Sequence, residues 1–260
     1  MRLDVYLVER GYAESRERAK KLIAAGMVQV DGACIDKPST EVKGEPAITV
    51  CETDDFVGRG GQKLAGALQM FRVDPTGLCA LDIGASTGGF TDCLLRSGAK
   101  RVIALDTGCG QLHPKLLADP RVINMEKYNA RNLSREDVGE VELVVMDVSF
   151  ISQTYILPRI PDVLAEKGRV LTLIKPQFEA GRGALNKKGL VKAARDRILA
   201  IRRVLTCAAE CGLACRGLAP SPIKGGDGNE EYLALLVPGG EASVTDGDID
   251  KTVLEGAIAL

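Results

Sequence analysis

The sequence has one histidine, no paired C-x-x-C cysteines, no long apolar run and almost no net charge. Each shortage removes a class of function. Any hydrolytic triad would have to be built on His113, which sits beside a proline in GQLHPKL and reads as a surface residue, so Ser-His-Asp and Cys-His catalysis are set aside. The eight cysteines are scattered, without the spacing of a metal site, and read as reduced thiols of a cytoplasmic protein. Cys207, Cys211 and Cys215 recur at intervals of four, a spacing that could place them on one helix face, and read as packing, with no metal. Charges interrupt even the most apolar stretch, RILAIRRVLTCAAECG, before it reaches the ~18 residues of a membrane span. The opening MRLDVYLVERGY lacks the apolar core and cleavage site of a secretory signal, so cytoplasmic residence without a membrane partner is expected. With 34 basic and 35 acidic side chains the formal charge is −1, and a nucleic-acid partner has to be argued from local clusters.

What is present falls into two parts, since 260 residues suit one medium domain plus a small appendage. Leu3, Tyr6 and Leu7 fall at helical spacing, Gly11 follows as a stop, and Ser15 is placed to cap a second helix over Arg16 to Ala25. MVQVDG then alternates into an Asp31-Gly32 turn, and AITV reads as a further strand. The second helix sends out Arg16, Arg18, Lys20 and Lys21 while Ala19, Leu22 and Ile23 face inward, a pattern suited to phosphates. The boundary is expected in CETDDFVGRGG, as a hinge between residues 1–58 and 59–260.

From Leu78 onward strands and helices alternate: LCALDIGAS, a helix to about Ser97, RVIALD, a helical stretch, VELVVMDV, a helix near Ile156 to Glu166, then GRVLTLIKP. Near-continuous apolar strands in this rhythm imply a parallel α/β sheet covered on both faces, with NEEYLALLVP as its last strand. DIGASTGGF runs a strand into a glycine turn that opens a helix, where Gly84, Gly88 and Gly89 let a ligand approach the backbone. Ser86 stands where a dinucleotide fingerprint needs its second glycine, and Asp82 enters the turn with a charge suited to a cation and not to a pyrophosphate. S-adenosyl-L-methionine fits that pattern better than a dinucleotide. Asp106, ending the next strand, is placed for the ribose hydroxyls, and Asn129 and Arg131 are candidates to border the adenine. Ala85 and Phe90 complete the turn.

The string RLDVYLVERGYAESRERAKKLIAAGMVQVDG resembles the S-four RNA-binding domain, which docks on structured RNA through its second helix and adjoining strand. FVGRGGQKLAGAL, LDIGASTGGFTDCLL, VVMDVSFIS, LIKPQFEAGR and GNEEYLALL together resemble the TlyA family of ribosomal RNA 2′-O-methyltransferases, also called hemolysin A. That half is similar in turn to the FtsJ ribose methyltransferases. The resemblance implies a Rossmann-like class I methyltransferase fold with a mostly parallel seven-stranded sheet, plus the small α+β S-four domain. It implies S-adenosyl-L-methionine as cofactor, ribosomal RNA or ribosomal subunits as partner, cytidine ribose as target, and no metal. Matched motif by motif, it assigns a catalytic tetrad to Lys63, Asp147, Lys175 and Glu231, with Glu231 preferred over Glu230 because it directly precedes the strand's tyrosine. Lys175 would orient the hydroxyl and help remove its proton. RNA contacts are expected at Arg2, Arg16, Arg18, Lys20, Lys21 and Arg59, and from Arg182, Lys187 and Lys188 in the loop GRGALNKKGLVK. The competing expectations are an RNA-binding protein without catalysis and a membrane-active hemolysin.

Overall fold

The protein is described from a computed structural model; the described residues are 1–13, 15–24, 26, 28–42, 44–50, 56–225 and 228–260, without the side chain of Lys21. The chain divides into two units, Met1–Asp55 and Phe56–Leu260. Part of the hinge expected in CETDDFVGRGG, residues 51–55, lies outside the described residues.

In the first unit α1 (Leu3–Glu9) and α2 (Arg16–Ala24) are followed by β1 (Val28–Val30), β2 (Ala33–Cys34) and β3 (Ile48–Val50). The strands form an antiparallel sheet in the order β2-β1-β3. Ser15 Oγ accepts the Arg18 N–H at 3.2 Å, which is the side-chain cap that starts α2. Asp31 and Gly32 both have positive φ, 50° and 81°, the backbone a two-residue hairpin turn needs. Leu3, Leu7, Ala19, Ile23 and Val28 form the buried centre.

The second unit begins with α3 (Gly60–Met70) and continues through β4 (Cys79–Ile83), α4 (Gly89–Arg96), β5 (Arg101–Leu105), β6 (Val122–Met125), β7 (Val141–Met146), β8 (Leu164–Ile174), β9 (Leu213–Pro220) and β10 (Tyr232–Pro238). Among the described residues these strands make a seven-stranded sheet ordered β6-β5-β4-β7-β8-β10-β9. The five strands from β6 to β8 are parallel, and β10 runs antiparallel to both its neighbours. Strand order reverses between β4 and β7, the place where open α/β sheets leave a crevice at their carboxyl ends. Two apolar clusters cover the sheet: Leu64, Phe90, Leu94 and Leu173 belong to one, and Ile83, Met146, Ile201 and Tyr232 to the other.

Three local expectations change. The helix read over Ile156 to Glu166 is shorter: a 3-10 turn at Leu157–Arg159 leads into Ile160–Val163, and Leu164 already belongs to β8 because it pairs with Val141. β9 was not read at all, and NEEYLALLVP, although last in the chain, is inserted between β8 and β9. The three cysteines do not share a helix face, because the helix Ala194–Glu210 ends at Cys211, Gly212 turns the chain at φ 76°, and Cys215 is buried in β9.

Candidate active site

The register of the sheet brings the charged residues together. Ile174 at the end of β8 pairs with Tyr232 at the start of β10, so the next residue on each strand, Lys175 and Glu231, meet at the same edge. Asp147 follows β7, which is bonded to β8, and its backbone N–H continues onto Ile83 of β4. Lys63 comes from α3, whose first turn lies against α4: a Cβ on Gly89 would fall 3.0 Å from the Gly61 nitrogen and 3.1 Å from the Gly58 oxygen. Only two glycine-rich backbones approach so closely, which explains both GRGG and TGG.

These four residues form two ion pairs. Lys63 Nζ donates to Glu231 Oε2 at 2.5 Å, and Lys175 Nζ stands 2.6 Å from Asp147 Oδ1. Both ammonium groups and Glu231 are buried, so each charge depends on its partner. Two neutral groups join them: Ser149 Oγ accepts from Lys175 Nζ at 2.8 Å, and Gln177 Nε2 donates to Glu231 Oε1 at 3.2 Å. Glu230 points elsewhere, to Arg197 at 3.2 Å, as strand alternation requires.

A cavity of about 430 Å³ opens beside this cluster, lined by Gly84, Ser86, Asp106, Tyr128, Asn129 and Phe150 among others. A second, of about 190 Å³, is lined by Arg59, Ala85, Gly89, Phe90 and Lys175. The two share Gly84, Ser86, Asp147 and Ser149 and so meet at the cluster. Gly84 has φ 87°, and a Cβ there would lie 2.6 Å from the Asp147 carbonyl oxygen, so only glycine lets the β4 and β7 loops close up. Asp106 accepts the N–H of Ser86 at 2.9 Å and of Gly108 at 2.6 Å, which fixes its carboxylate on the cavity wall. Asn129 caps a 3-10 turn, accepting the Arg131 N–H at 3.1 Å, and it lines the larger cavity while Arg131 does not. The larger cavity has Asp106 and Asp147 but, among its described lining, no lysine or arginine, a balance that suits a cation and disfavours a phosphate.

Asp82 is not on the wall of either cavity. Its carboxylate is fully buried and accepts Thr91 Oγ1 at 2.6 Å beneath the turn, so it can act on a ligand only through the field and the backbone above it. Burial, reinforced by Asp147 and Asp106 against the opposing Thr91 hydrogen bond, pushes its pKa up to about 7. Gly88 likewise lines neither cavity; it is the left-handed residue that starts α4. The residues the sequence reading passed over are Tyr128, Ser149, Phe150 and Gln177. All of them lie in the few residues that follow the ends of the parallel strands β6, β7 and β8, and attention to those loops would have found them.

The expected RNA-contacting cations divide. Arg2 and Arg16 are tied to one buried carboxylate, Asp4, at 2.9 and 3.0 Å, and their hydrogen bonds hold its pKa at about 2. Arg18 and Lys20 are exposed on α2, while the side chain of Lys21 lies outside the described residues. Arg59 is exposed and donates to the Lys224 carbonyl at 3.0 Å. Arg182, Lys187 and Lys188 are exposed on a segment that bonds to itself: Leu185 bridges Val191, and Asn186 Oδ1 accepts the N–H of Lys188 and of Leu190. Asn229, buried two residues before Glu231, pins that segment through the Val191 N–H at 3.1 Å and the Gly189 carbonyl at 3.1 Å.

Comparison with known proteins gives the same two-part division. Residues 56–237 match the FtsJ-like methyltransferase model and residues 1–46 the S4 domain. The chain is 41% identical over 260 residues to the 16S/23S rRNA (cytidine-2′-O)-methyltransferase TlyA of Mycobacterium tuberculosis, covering 99% of this chain and 95% of that one. It is 43% identical over 243 residues to Hemolysin A of Brachyspira hyodysenteriae, covering 91% of this chain and 100% of that one. A solved protein from Streptococcus thermophilus, provisionally described as a hemolysin, superposes with a TM-score of 0.76 at 38% identity over 98% of this chain and 95% of that one.

Proposed function

The chain belongs to the TlyA family of FtsJ-like methyltransferases, and from that premise we propose that it methylates the ribose 2′-hydroxyl of cytidine in ribosomal RNA, in the cytoplasm, with S-adenosylmethionine as donor. The observation that carries this reading is the pair of buried ion pairs, Lys63–Glu231 and Lys175–Asp147, at the junction of the two cavities.

The donor set fits the cofactor. Asp106, bonded on one side to backbone N–H groups, presents its remaining lone pairs to a ribose diol, and Tyr128, Asn129 and Ile151 give an adenine a mostly apolar bed. The smaller cavity over the start of α4 takes the amino-acid end, with Asp147 supplying the negative charge a cationic centre needs. When bound, S-adenosylmethionine supplies a methyl group already activated on a sulfonium sulfur.

The chain's own residues then have to place an oxygen in line with that methyl. An ammonium has three N–H bonds; Lys175 donates one to Ser149 while its charge is paired with Asp147, which leaves N–H capacity for the 2′-oxygen. Lys175 so orients the hydroxyl and stabilises negative charge on its oxygen as the proton leaves. Lys63, held by Glu231, adds positive charge beside it. The cations of α2 and of the 182–188 segment supply phosphate contacts that bring structured RNA to the site.

The test is methyl transfer from tritiated donor to purified ribosomal subunits, followed by mapping of the modified ribose. Lys175→Ala is expected to lower turnover by about 10²- to 10⁴-fold while donor binding persists. Donor binding without incorporation by the wild-type protein would instead support an RNA-binding protein without catalysis. Among the described residues no helix is long and apolar enough to cross a membrane; vesicle lysis insensitive to Lys175→Ala would support the membrane-active alternative.

A further inference from the structure

The two ion pairs are joined by one short segment. Lys175 precedes the helix Pro176–Glu179, and Gln177 lies in its first turn. Lys175 reaches Asp147, and two residues later Gln177 donates to Glu231 Oε1 at 3.2 Å, while the other oxygen of that carboxylate holds Lys63. The Glu231 carboxylate has no spare room, since a Cβ on Gly225 would lie 2.6 Å from Oε1. Gln177 Oε1 is itself buried and, among the described residues, has no hydrogen-bond partner. A buried acceptor left unpaired is unfavourable. The amide therefore keeps its NH₂ on a carboxylate at the expense of its own oxygen, which points to a role in the site and not in the core.

We infer that Gln177 is a positioning residue for methyl transfer: it fixes the Glu231 carboxylate, and through it the Lys63 ammonium, relative to Lys175. This rests on the methyltransferase reading above. The segment Lys175-Pro176-Gln177 then acts as a rigid link, so that the two positive charges keep one separation while RNA binds and leaves.

Three variants separate this role from packing. Gln177→Met keeps the length of the side chain and loses the donor; Gln177→Ala loses both; Gln177→Glu keeps the shape and sets a second carboxylate against Glu231. The expected result is a kcat lowered about tenfold in Met and Ala and further in Glu, with KM for donor and RNA within about twofold of wild type. In Gln177→Glu the acid limb of the kcat profile moves to higher pH, because like charges favour the protonated carboxyl. If Gln177 only fills space, Met and Glu keep wild-type kcat and Ala alone falls, and the inference is overturned.

A second readout needs no turnover. In pulse acylation of folded protein read by mass spectrometry, Lys63 labelling is expected to rise at least about threefold in Gln177→Met, with the exposed lysines unchanged. Unchanged Lys63 labelling overturns the inference whatever the activity. Increased labelling in a protein whose wild type does not methylate RNA would leave the link standing and remove the methyltransferase reading instead.

Discussion

At the scale of single residues, the sequence announces charge and the structure decides what each charge is for. Asp82 and Asp106 both end parallel strands, yet Asp106 lines the cavity while Asp82 is sealed beneath it with one oxygen unpartnered among the described residues. With a pKa of about 7, folded Asp82 retains a proton that the unfolded chain releases near pH 3.9. Its effect on stability therefore has a definite sign: nothing below about pH 4, and a growing penalty as pH rises to about 7, level above. Asp82→Asn should relieve it, so that in urea titrations the variant gains stability over wild type with pH, by about 2 kcal/mol or more at pH 8. A difference constant from pH 4 to pH 8 would sink this account. Phe150 presents the opposite case: it is 92% exposed, has φ 65°, and stands 5.2 Å from the Phe178 ring at the cavity rim. A large apolar ring held out in a left-handed backbone contributes little to folding and is shaped to stack on a base. Phe150→Ala should leave stability within about 0.5 kcal/mol and donor affinity nearly unchanged, and lower kcat/KM for RNA by about tenfold or more.

At the scale of elements, the Gly-rich turns and the β4, β5, β7, β8 and β10 strands were legible because apolar runs bounded by glycine or proline admit one reading in an alternating α/β chain. The tetrad candidates were legible only through resemblance; in the structure Asp147, Lys175 and Glu231 stand beside strand ends that register brings together, and Lys63 reaches Glu231 from α3. β9 was missed because Arg216 and Gly217 break LACRGLAP, although it pairs with β10 along its whole length. The Asp4 cluster was missed for a different reason. A carboxylate on α1 that holds Arg2 and Arg16 is a side-chain contact without periodicity, and no pattern in the string reveals it. The basic loop GRGALNKKGLVK was legible only as a cluster of cations, and its internal bonds make it an element with its own fastening, Asn229. Asn229→Ala should cost about 1–2 kcal/mol locally, speed hydrogen exchange at the Val191 amide, and raise KM for RNA more than KM for the donor. Equal exchange at Val191 in both proteins would show that the segment is held by other contacts.

For the whole molecule, a formal charge of −1 means that no general attraction draws the chain to RNA, so affinity has to come from a few placed cations and should depend steeply on salt. The two groups of cations differ in how they are held. Lys187 and Lys188 are exposed on the pinned segment, whereas Arg16 is paired with a carboxylate whose pKa is held at about 2. Replacing Lys187 and Lys188 by alanine should weaken RNA binding alike on all sequences and flatten the logarithmic salt dependence by a little less than one unit per cation, with donor affinity and folding stability untouched. Arg16→Ala should flatten it less, because its charge is already partly neutralised, and should also destabilise the first unit by leaving buried Asp4 with Arg2 alone. That loss vanishes as pH falls toward about 2, since the depressed Asp4 pKa contributes stability only while the carboxylate is ionised. Binding isotherms from low to high salt, read beside pH-dependent melting of the same variants, separate the two behaviours. A slope change for Arg16→Ala as large as half that of the lysine double variant would mean that the Asp4 pairing opens when RNA binds.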